Sequence, residues 1–581
     1  MKFEVWAPRA SDTVELLLVG ERVTMSRHDG GYWSVEQDAP PGTTYAFSLD
    51  GGDPRTDPRA LRLPDGPEAP SQVVDVATFA WTDDAWRGLP LPGSVIYELH
   101  VGTFTEVGTF DAAVERLDHL VDLGIDIVEL MPVGAFPGRY GWGYDGVGLY
   151  AVHEPYGGPE GLARFVDACH ARGLGVFLDV VYNHLGPSGN HLSEFGPYFT
   201  DRYGTPWGEA LNLDDADSDD VRRFIVENAL MWLRDFHIDG LRLDAVHALY
   251  DDRAVSLLEE LSAQVSALAA GLGRPLWLVA ESDRNDPLTV MPREGGGLGL
   301  NAQWADDVHH ALHVLLTGET QGYYEDFAAP EALAKVLAQV FLHDGTYSTF
   351  RRRTHGRPVD RARTPGWRFV VSLQTHDQVG NRATGDRLSQ NLTPGRLAAG
   401  AALLLTSPCT PMLFMGEEWG ASTPWQYFTD HTDPGIAQSV RRGRRDEFAD
   451  HGWDRGDVPD PQSEATVLRS RLDWSELTEM PHDRVLGWYR DLIRMRRERP
   501  ELGDPRLDLV HVEHDDPAQT IVITRGAHRV VVNLAQDTRM VALPVGDETL
   551  EVVLAWEGEQ TSWDGVAVTL PGESAAILGP A

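Results

Sequence analysis

An apolar run ends in charged side chains at Gly240-Leu241-Arg242-Leu243-Asp244-Ala245-Val246-His247. In a β-strand the side chains alternate, so Arg242 and Asp244 point to one side while Leu243 packs on the other. An arginine two residues from an aspartate favours the ionised carboxylate and holds it in place. The pattern predicts a buried strand with an acid at its carboxyl end.

Further apolar runs have the continuous hydrophobic character of parallel strands that are buried on both faces. They span residues 95–99, 125–130, 176–181, 276–280, 369–373 and 412–414. Helical patterns lie between several of them, for example at 110–117 and 221–236. Right-handed strand–helix–strand units repeated this often predict a doubly wound sheet or a closed (β/α)8 barrel. The periodicity alone does not choose between these two folds.

Four of the runs end in clusters of polar and ionisable residues. Besides the Arg242 strand, the clusters are Asp179 to His184, Glu281 to Ser282, and His376 to Asn381. A single aspartate at a strand end is usually a turn residue or a helix cap, but four such clusters together indicate one site. In a barrel, chemistry lies at the carboxyl ends of the strands. Two carboxylates suffice for glycoside cleavage, and a third with nearby imidazoles can stabilise an oxocarbenium-like transition state.

Metal chemistry is the rival use of such residues. No CxxC or H-x-H spacing appears. The acidic run at 214–220 lacks the central glycine of an EF-hand and leads into the helical pattern at Val221, so we interpret it as helix-start capping. We therefore predict no metal and no cofactor. The only two cysteines, Cys169 and Cys409, lie in apolar segments and are predicted to be buried free thiols.

The charge balance restricts the partners of the chain. It has 89 Asp+Glu against 49 Lys+Arg, a formal net charge of −40. Such a field repels nucleic acid and anionic membrane surfaces, but a neutral polyhydroxylated substrate is indifferent to it. No stretch approaches the ~20 apolar residues that cross a bilayer, and the start has no apolar run of signal-peptide length. We expect a cytoplasmic protein with no nucleic-acid or membrane partner, and the oligomeric state stays open.

The length and the change of pattern along the chain predict three parts. Residues 1–90 hold short strand-like runs with turn signals and are predicted to form a β-sandwich. Residues 91–495 carry the strand–helix rhythm, with a small inserted loop domain at about 182–218. Residues 496–581 return to short alternating strands without a titratable cluster, which predicts an all-β domain with a structural role.

The four polar clusters, in this order, resemble the four signature regions of the α-amylase superfamily, glycoside hydrolase family 13, over residues 95–420. The resemblance implies a (β/α)8 barrel, flanked here by the two β domains, and a retaining double displacement. It implies roles in the reaction for Asp244 as nucleophile, Glu281 as acid/base and Asp377 as transition-state stabiliser. It places His184, Arg242, His376 and an aromatic platform, Tyr144, around the −1 sugar, and Asp179 in a structural role.

Finer features narrow the subgroup. The opening Phe3-Glu4-Val5-Trp6-Ala7-Pro8 looks like the N-terminal sandwich of branching and debranching relatives. The segments at 130–144, 281–286, 304–313 and 414–420 resemble the malto-oligosyltrehalose trehalohydrolases. That resemblance implies malto-oligosyltrehalose as substrate and hydrolysis of the α-1,4 bond next to its terminal trehalosyl unit. The residues that it suggests for substrate contact are His247, Asp307, His309 and Asn381.

Two other functions remain as alternatives. A 1,4-α-glucan branching enzyme would use the same three carboxylates, and a non-catalytic carbohydrate-binding protein could use the same fold. The presence of Asp244, Glu281 and Asp377 argues against the second, because a degenerate barrel would have lost one of them. The aromatic stretch Trp425-Gln426-Tyr427-Phe428 is either a subsite wall or packing.

Overall fold

The computed structural model describes residues 1–205, 208–450, 458–543 and 549–580, without the side chains of residues 449 and 450. The first seven strands form two antiparallel sheets, in the orders β1-β5-β4 and β3-β2-β6-β7. These strands are β1 (Lys2–Trp6), β2 (Val14–Leu18), β3 (Glu21–Thr24), β4 (Ser26–Arg27), β5 (Tyr32–Glu36), β6 (Thr44–Leu49) and β7 (Ser71–Gln72). The alternation in β1, where Phe3 and Val5 are buried, supplies the apolar face of the first sheet.

Eight parallel strands close into the predicted barrel, which excludes the doubly wound sheet. They are β8 (Ile96–Leu99), β9 (Ile127–Leu130), β12 (Gly175–Val180), β15 (Gly240–Leu243), β16 (Trp277–Ala280), β17 (Ala302–Trp304), β20 (Phe369–Ser372) and β21 (Thr410–Phe414). The hydrogen bonds run in chain order, and β21 pairs with β8 to complete the ring. Seven of these strands were predicted from apolar runs. The sequence pattern missed β17, which has only three residues and includes Gln303.

Six further strands form two-stranded antiparallel sheets in the described loops beyond the barrel. They are β10 (Gly134–Ala135) with β11 (Gly148–Val152), β13 (Phe199–Thr205) with β14 (Gly208–Leu211), and β18 (Thr346–Ser348) with β19 (Arg353–His355). The β13–β14 hairpin lies inside the segment that the sequence predicts as a small inserted domain. That division, like the other domain boundaries, stays a prediction.

The inside of the barrel has an apolar floor and a polar layer above it. The floor is a separate apolar cluster that includes Ile96, Ile127, Phe177, Val279, Ala302, Trp304, Val370 and Met412. Two residues further along three of these strands come Glu98, Glu129 and Asp179, which alternation places on the same inner side. Glu98 is in register with Glu129, and Asp179 is in register with Arg242 on β15. The strands therefore carry charge only toward their carboxyl ends, where chemistry occurs in this fold.

Helices surround the barrel and connect its strands. They are α1 (Val101–Phe104), α2 (Phe110–Val114), α3 (Leu117–Leu123), α4 (Gly158–His170), α5 (Leu192–Phe195), α6 (Ser218–Asp235), α7 (Leu257–Leu272), α8 (Asp306–Thr317), α9 (Pro330–Gln339), α10 (His376–Gly380), α11 (Leu388–Asn391), α12 (Pro394–Leu405), α13 (Pro434–Asp450), α14 (Glu464–Arg469) and α15 (His482–Glu498). Helix α7 shows how the sequence starts a helix. The Ser256 side chain accepts a hydrogen bond from the Glu259 backbone N–H, and the Glu259 carboxylate accepts one from the Ser256 backbone N–H.

One detail of the sequence interpretation was wrong. Helix α6 begins at Ser218, and Asp217 at its N-cap has a left-handed φ of 60° and makes no side-chain cap. Asp219 and Asp220 lie in the first turn, where a negative charge is favourable next to the helix N-terminus. The acidic run therefore starts the helix through its charge and not through a capping hydrogen bond. The prediction of buried free thiols at the two cysteines is confirmed.

After α15 the chain forms two antiparallel sheets, in the orders β22-β23-β24-β29-β26 and β25-β28-β27. The strands are β22 (Val510–Asp515), β23 (Thr520–Arg525), β24 (His528–Asn533), β25 (Arg539–Ala542), β26 (Leu550–Ala555), β27 (Ser562–Trp563), β28 (Ala567–Leu570) and β29 (Ser574–Pro580). The predicted fold class, a barrel with all-β parts on both sides in sequence, is confirmed. Within the described residues, no helix is both long enough and apolar enough to pass through a bilayer.

Candidate active site

Arg242 is the centre of the candidate site and is fully buried. Its Nη1 donates to Asp179 Oδ2 at 2.7 Å and to Asp244 Oδ1 at 2.8 Å. Its Nη2 lies 2.9 Å from Glu281 Oε2. The guanidinium carbon is 4.3 Å from the ring centroid of Trp304, which belongs to the apolar floor. A buried, planar cation with three acidic neighbours fixes the positions of all three.

The predicted nucleophile, Asp244, is held at both carboxylate oxygens. Oδ1 accepts the bond from Arg242, and Oδ2 accepts one from the Asn183 amide at 2.6 Å. The next residue, Ala245, has a left-handed φ of 40°, and its N–H donates to Glu281 Oε2 at 2.7 Å. A non-glycine residue in this region is strained, and such strain is concentrated at functional sites. The strained turn therefore directs a backbone donor at the predicted acid/base.

His376 donates hydrogen bonds from both ring nitrogens. Nδ1 bonds to Glu98 Oε1, and Nε2 lies 2.7 Å from the Tyr144 hydroxyl. Because that hydroxyl gives its own proton to Asp179 Oδ2 at 2.6 Å, the histidine must supply the second hydrogen. An imidazole protonated on both nitrogens is a cation. Burial lowers its pKa, but the charges of Glu98 and Asp377 outweigh burial and raise the pKa of His376 to about 9.

The third predicted carboxylate, Asp377, lies at the open edge of the site. Its Oδ1 is 3.5 Å from His376 Nε2 and accepts a bond from Asn381 Nδ2 at 3.2 Å. The exposed fraction of the side chain rises from 11% at Asp244 to 18% at Glu281 and 36% at Asp377. A ligand therefore has access from the Asp377 side. Burial raises the pKa of Asp377, and the nearby Glu281 charge adds to the increase.

Tyr144 is carried by the loop between β10 and β11. The loop needs glycine at Gly143, where φ is 103° and a Cβ would collide with the Pro132 carbonyl. The Tyr144 ring stacks on His376 with 5.1 Å between the centroids, and the Tyr144 carbonyl accepts a bond from His184 Nε2 at 3.0 Å. The structure thus brings the residues predicted around the −1 sugar together with the three carboxylates.

His247 stands on the loop after β15, beside the loop after β16. Its Nδ1 lies 3.9 Å from Asp283 Oδ1, and its backbone carbonyl accepts a bond from Arg284 at 2.9 Å. The side chain is half-buried. Its position joins two loops at the carboxyl end of the barrel, which is compatible with the predicted substrate contact.

The structure places Asp307 and His309 deeper than the predicted substrate contacts require. Asp307 Oδ2 accepts bonds from Asn285 Nδ2 and from the backbone N–H groups of Leu342 and His343, at 2.9, 2.7 and 3.2 Å. These bonds commit the carboxylate to holding a loop. His309 is 2% exposed and lies in a buried group of rings, so the structure does not bring it to the three carboxylates.

His309 and His313 have the i, i+4 spacing that some metal sites use. Their rings stack with centroids 5.6 Å apart, and His313 Nε2 bonds to Glu319 Oε2 at 2.8 Å. Burial keeps the pKa of His309 well below its usual range. Among the described residues, no group of three or more acidic, histidine or cysteine side chains is arranged to hold a metal ion.

The stretch from Trp425 to Phe428 is mainly packing. Both of these end residues are completely buried. Trp425 stacks on Trp142 at 5.4 Å, and its Nε1 donates to the His376 carbonyl at 3.0 Å. Tyr427 is only half-buried and stands edge-on to Trp142. Trp425 therefore supports α10 from behind and does not form a subsite wall.

Sequence reasoning missed three residues that shape the site. Glu98 supplies the charge beside His376, and a lone glutamate inside an apolar strand was the available signal. Asn183 holds Asp244, and its place in a strand-end cluster was a signal as well. The third, Asp306, is the first residue of α8, two positions after β17, and the charges of Glu281 and Asp377 act on it; it could not be assigned while β17 was unrecognised.

The comparisons with known proteins agree with this geometry. The family described as "Alpha amylase, catalytic domain" matches residues 83–197. A malto-oligosyltrehalose trehalohydrolase from Arthrobacter ramosus is 56% identical over 99% of this chain and 99% of its own. The chain belongs to the malto-oligosyltrehalose trehalohydrolase family. A trehalohydrolase from Rhizobium sp. (strain M-11) is 52% identical over 99% of this chain and 97% of its own.

A solved structure has the same fold along the whole chain. A putative α-amylase from Salmonella typhimurium superposes with a TM-score of 0.91 at 37% identity, covering 100% of this chain and 97% of that one. The trehalohydrolase resemblance inferred from the sequence segments is confirmed by the two trehalohydrolase relatives. Because both trehalohydrolase matches span nearly the whole chain, the family assignment includes the β parts as well as the barrel.

Proposed function

We propose that this chain hydrolyses the α-1,4-glucosidic bond next to the terminal trehalosyl unit of malto-oligosyltrehalose and releases trehalose. The observation that carries the proposal is the arrangement of Asp244, Glu281 and Asp377 at the mouth of a barrel whose nearly full-length relatives carry that name. The substrate is uncharged, which suits a chain with a net charge of −40.

The first displacement uses two carboxylates. Asp244 attacks the anomeric carbon while Glu281 protonates the glycosidic oxygen, so the leaving sugar departs and a glycosyl–aspartate ester forms. Arg242 and Asn183 hold the Asp244 oxygens in place for this attack. Water then attacks the ester, Glu281 accepts its proton, and Asp244 is released as the carboxylate. Two inversions retain the α configuration.

The transition state carries positive charge on the sugar ring. Asp377, at the open edge, supplies negative charge near that ring. The Tyr144 ring offers an apolar face to the sugar, and its hydroxyl is fixed between Asp179 and His376. His184 and Arg242 complete the −1 position. His247 and Asn381 are proposed to contact the substrate further from the scissile bond.

Selectivity for a trehalosyl end must come from the leaving-group side. A 1,1-linkage turns the terminal glucose away from the path that a maltose unit takes. Groups placed for its hydroxyls are left unpaired by an ordinary glucan, and a site built to bond a hydroxyl can reject a substrate lacking it by ~10⁴-fold. The loops after the barrel strands are where such groups can change without altering the three carboxylates.

The test is a product analysis on matched substrates. The protein is incubated separately with maltopentaosyl trehalose and with maltoheptaose, and the products are separated and identified. We expect trehalose as the main disaccharide from the first and much slower cleavage of the second. Equal kcat/KM on the two substrates would show that the protein is a general α-glucan hydrolase without selectivity for a trehalosyl end. New α-1,6 bonds would instead support the branching alternative.

A further inference from the structure

Glu129 is a buried carboxyl group that the mechanism above does not use, and its side chain is only 1% exposed. It lies on β9, inside the barrel and above the apolar floor, in register with Glu98 on β8. Within the described part of the chain, neither of its carboxyl oxygens has a hydrogen-bond partner. Buried polar groups are nearly always paired, so this carboxyl group needs an explanation.

The buried layer around Glu129 holds more acids than cations. The acids are Glu98, Glu129 and Asp179, and the cations are Arg242 and the doubly protonated His376. The proposed nucleophile and acid/base, which also lie beside Arg242, add further negative charge. Two cations do not balance three ionised acids, and an uncompensated buried charge is costly. One of the three acids therefore carries a proton.

The hydrogen bonds indicate which acid carries this proton. Glu98 accepts bonds from both the backbone N–H and the ring Nδ1 of His376. Asp179 Oδ2 accepts two bonds, from a guanidinium and from a phenol hydroxyl, at 2.7 and 2.6 Å. Such bonds favour the ionised form of both groups. Among the described residues, Glu129 accepts no bond that would favour its ionised form.

The surrounding charges agree with this choice. Burial raises the pKa of Glu129 well above its usual range, and the charge of Glu98 adds to the increase. Arg242 and His376 oppose the increase, and Asp179 adds to it. Burial also raises the pKa of Asp179, to about 7, with the Arg242 charge opposing it. Because Arg242 bonds directly to Asp179 and not to Glu129, Asp179 ionises first.

Asp179 has one oxygen that a protonated Glu129 can serve. Asp179 Oδ1 is buried and has no hydrogen-bond partner among the described residues. Strands β9 and β12 are neighbours, and Phe177, two residues before Asp179, is in register with Glu129. The acid O–H of Glu129 and the Asp179 oxygen are thus a donor and an acceptor on adjacent strands, and one buried water can bridge them.

We propose that Glu129 is held as the neutral acid and is a positioning residue for the active site. Its proton balances the charge of the buried layer, and its O–H supplies the donor that Asp179 Oδ1 lacks. Asp179 in turn bonds the Arg242 guanidinium and the Tyr144 hydroxyl, which hold the nucleophile and the sugar platform. The role in catalysis rests on the proposed function, but the protonation state of Glu129 does not depend on it.

Infrared difference spectroscopy tests the protonation state directly. Spectra of the wild type and of Glu129→Gln are recorded at pH 7, where exposed carboxyl groups are ionised. We expect the wild type to have one protonated-carboxyl C=O band that the variant lacks, with the carboxylate bands unchanged. A difference in the carboxylate bands instead would show an ionised Glu129 and overturn the proposal.

The pH dependence of unfolding gives a second measurement of the same proton. A proton that is bound only in the folded state raises the unfolding constant about tenfold per pH unit above the ordinary glutamate pKa of about 4.3. Glu129→Gln lacks this effect because its amide does not titrate. The ratio of the wild-type constant to that of the variant, from urea unfolding, should therefore rise about tenfold between pH 5.5 and pH 6.5. A constant ratio would contradict the neutral acid.

The positioning role is tested by comparing Glu129→Gln with Glu129→Leu, which has a similar size but no donor. On maltopentaosyl trehalose at pH 7, the glutamine variant should keep most of the wild-type kcat, because its amide is a neutral donor. The leucine variant should lose about tenfold in kcat, as for one lost hydrogen bond, with a smaller change in KM. Circular dichroism serves as the control for folding.

Two outcomes would overturn the positioning role: a strong loss of kcat in the glutamine variant, or full activity in the leucine variant. If the leucine variant does not fold, Glu129→Met undergoes the same measurements. A wild-type protein that releases no trehalose would refute the proposed function alone. The infrared result would still decide the protonation state of Glu129, which keeps the two failures distinct.

Discussion

Arg242 and Glu281 lie on neighbouring barrel strands, with Nη2 of the arginine 2.9 Å from Oε2 of the glutamate. The same guanidinium donates through Nη1 to Asp179 and Asp244. One buried cation thus positions carboxylates on three successive strands. The proposed nucleophile and the proposed acid/base cannot move independently of each other.

Arg242→Lys tests this arrangement. An ammonium group is a compact point charge and cannot reproduce the planar fork that reaches three carboxylates. We expect kcat to fall by about 10²–10³-fold, and the free energy of unfolding to fall by about 3–5 kcal/mol. Steady-state kinetics and urea denaturation measure the two effects. Near-normal turnover in this variant would contradict the central role given to the guanidinium.

Asp244→Asn and Glu281→Gln test the two displacements. Each variant should stay folded and lose at least ~10²–10⁴-fold in turnover, as expected on removal of a covalent nucleophile or a general acid. Circular dichroism and the Tm serve as the control for folding. In the wild type, proton NMR recorded before mutarotation should show the α-anomer at the newly formed reducing end. A β-anomer would rule out the double displacement.

The pair His376 and Glu98 gives a pH dependence of stability. The pKa of His376 is about 9 in the folded state, above the ordinary value of about 6.5. The folded state therefore binds more protons between these values, so the contribution to stability is complete below pH ~6.5 and is lost as the pH rises through 9. Its size is on the order of 3 kcal/mol.

The variant Glu98→Gln isolates the contribution of His376 to the pH dependence of stability. Without the Glu98 charge, burial dominates and the pKa of His376 should fall, so the variant should lose less stability between pH 6.5 and pH 9 than the wild type does. Urea unfolding at both pH values gives the two differences. If the free energy of unfolding falls equally in the two proteins between pH 6.5 and pH 9, another titrating group causes the loss of stability at alkaline pH.

Much of this site could be predicted from local sequence, and the reasons are physical. A strand buried on both faces must be continuously apolar, so the polar clusters at Asp179, Arg242 and His376 stood out against it. The side chains at Arg242 and Asp244 share a face because the strand period is two. The ring closure between β21 and β8 depends on pairing far apart in sequence, which no local pattern encodes.

The segment around β17 shows where local prediction fails. Three residues, one of them Gln303, give no apolar run, so the start of α8 was not fixed. Successive side chains on a helix point in directions about 100° apart. A shift of one residue at the helix start therefore changes which side chain faces the barrel mouth. The family resemblance suggested Asp307 and His309 for substrate contact, but the structure commits the Asp307 carboxylate to a loop and buries His309.

The prediction of no metal motivates a chelation experiment, because no group of three or more acidic, histidine or cysteine side chains among the described residues is arranged to hold a metal ion. The proposed chemistry uses side-chain carboxylates alone, so activity should survive exhaustive treatment with EDTA followed by gel filtration. The comparison is kcat/KM before and after treatment, with the Tm measured on the same samples. A complete loss of activity that calcium or zinc restores would show that the acidic clusters have been misinterpreted.

His309→Ala distinguishes the sequence interpretation from the structural one. A substrate contact would raise KM for the trehalosyl substrate, as the sequence predicts. The structure instead buries the ring among His310, His313 and Tyr324. Its removal leaves a cavity, and we expect the free energy of unfolding to fall by about 2–3 kcal/mol with KM little changed.

Asn381→Ala is the matched control for that variant, because Asn381 is exposed and donates to Asp377. It should raise KM severalfold and leave the Tm within about 2 °C of the wild type, since no cavity is created. The two variants should therefore differ in which quantity changes. His309→Ala should lower the Tm with KM little changed, whereas Asn381→Ala should raise KM with the Tm little changed. A rise in KM for His309→Ala at unchanged Tm would restore the substrate contact that the sequence indicated, and would require the α8 segment to open when substrate binds.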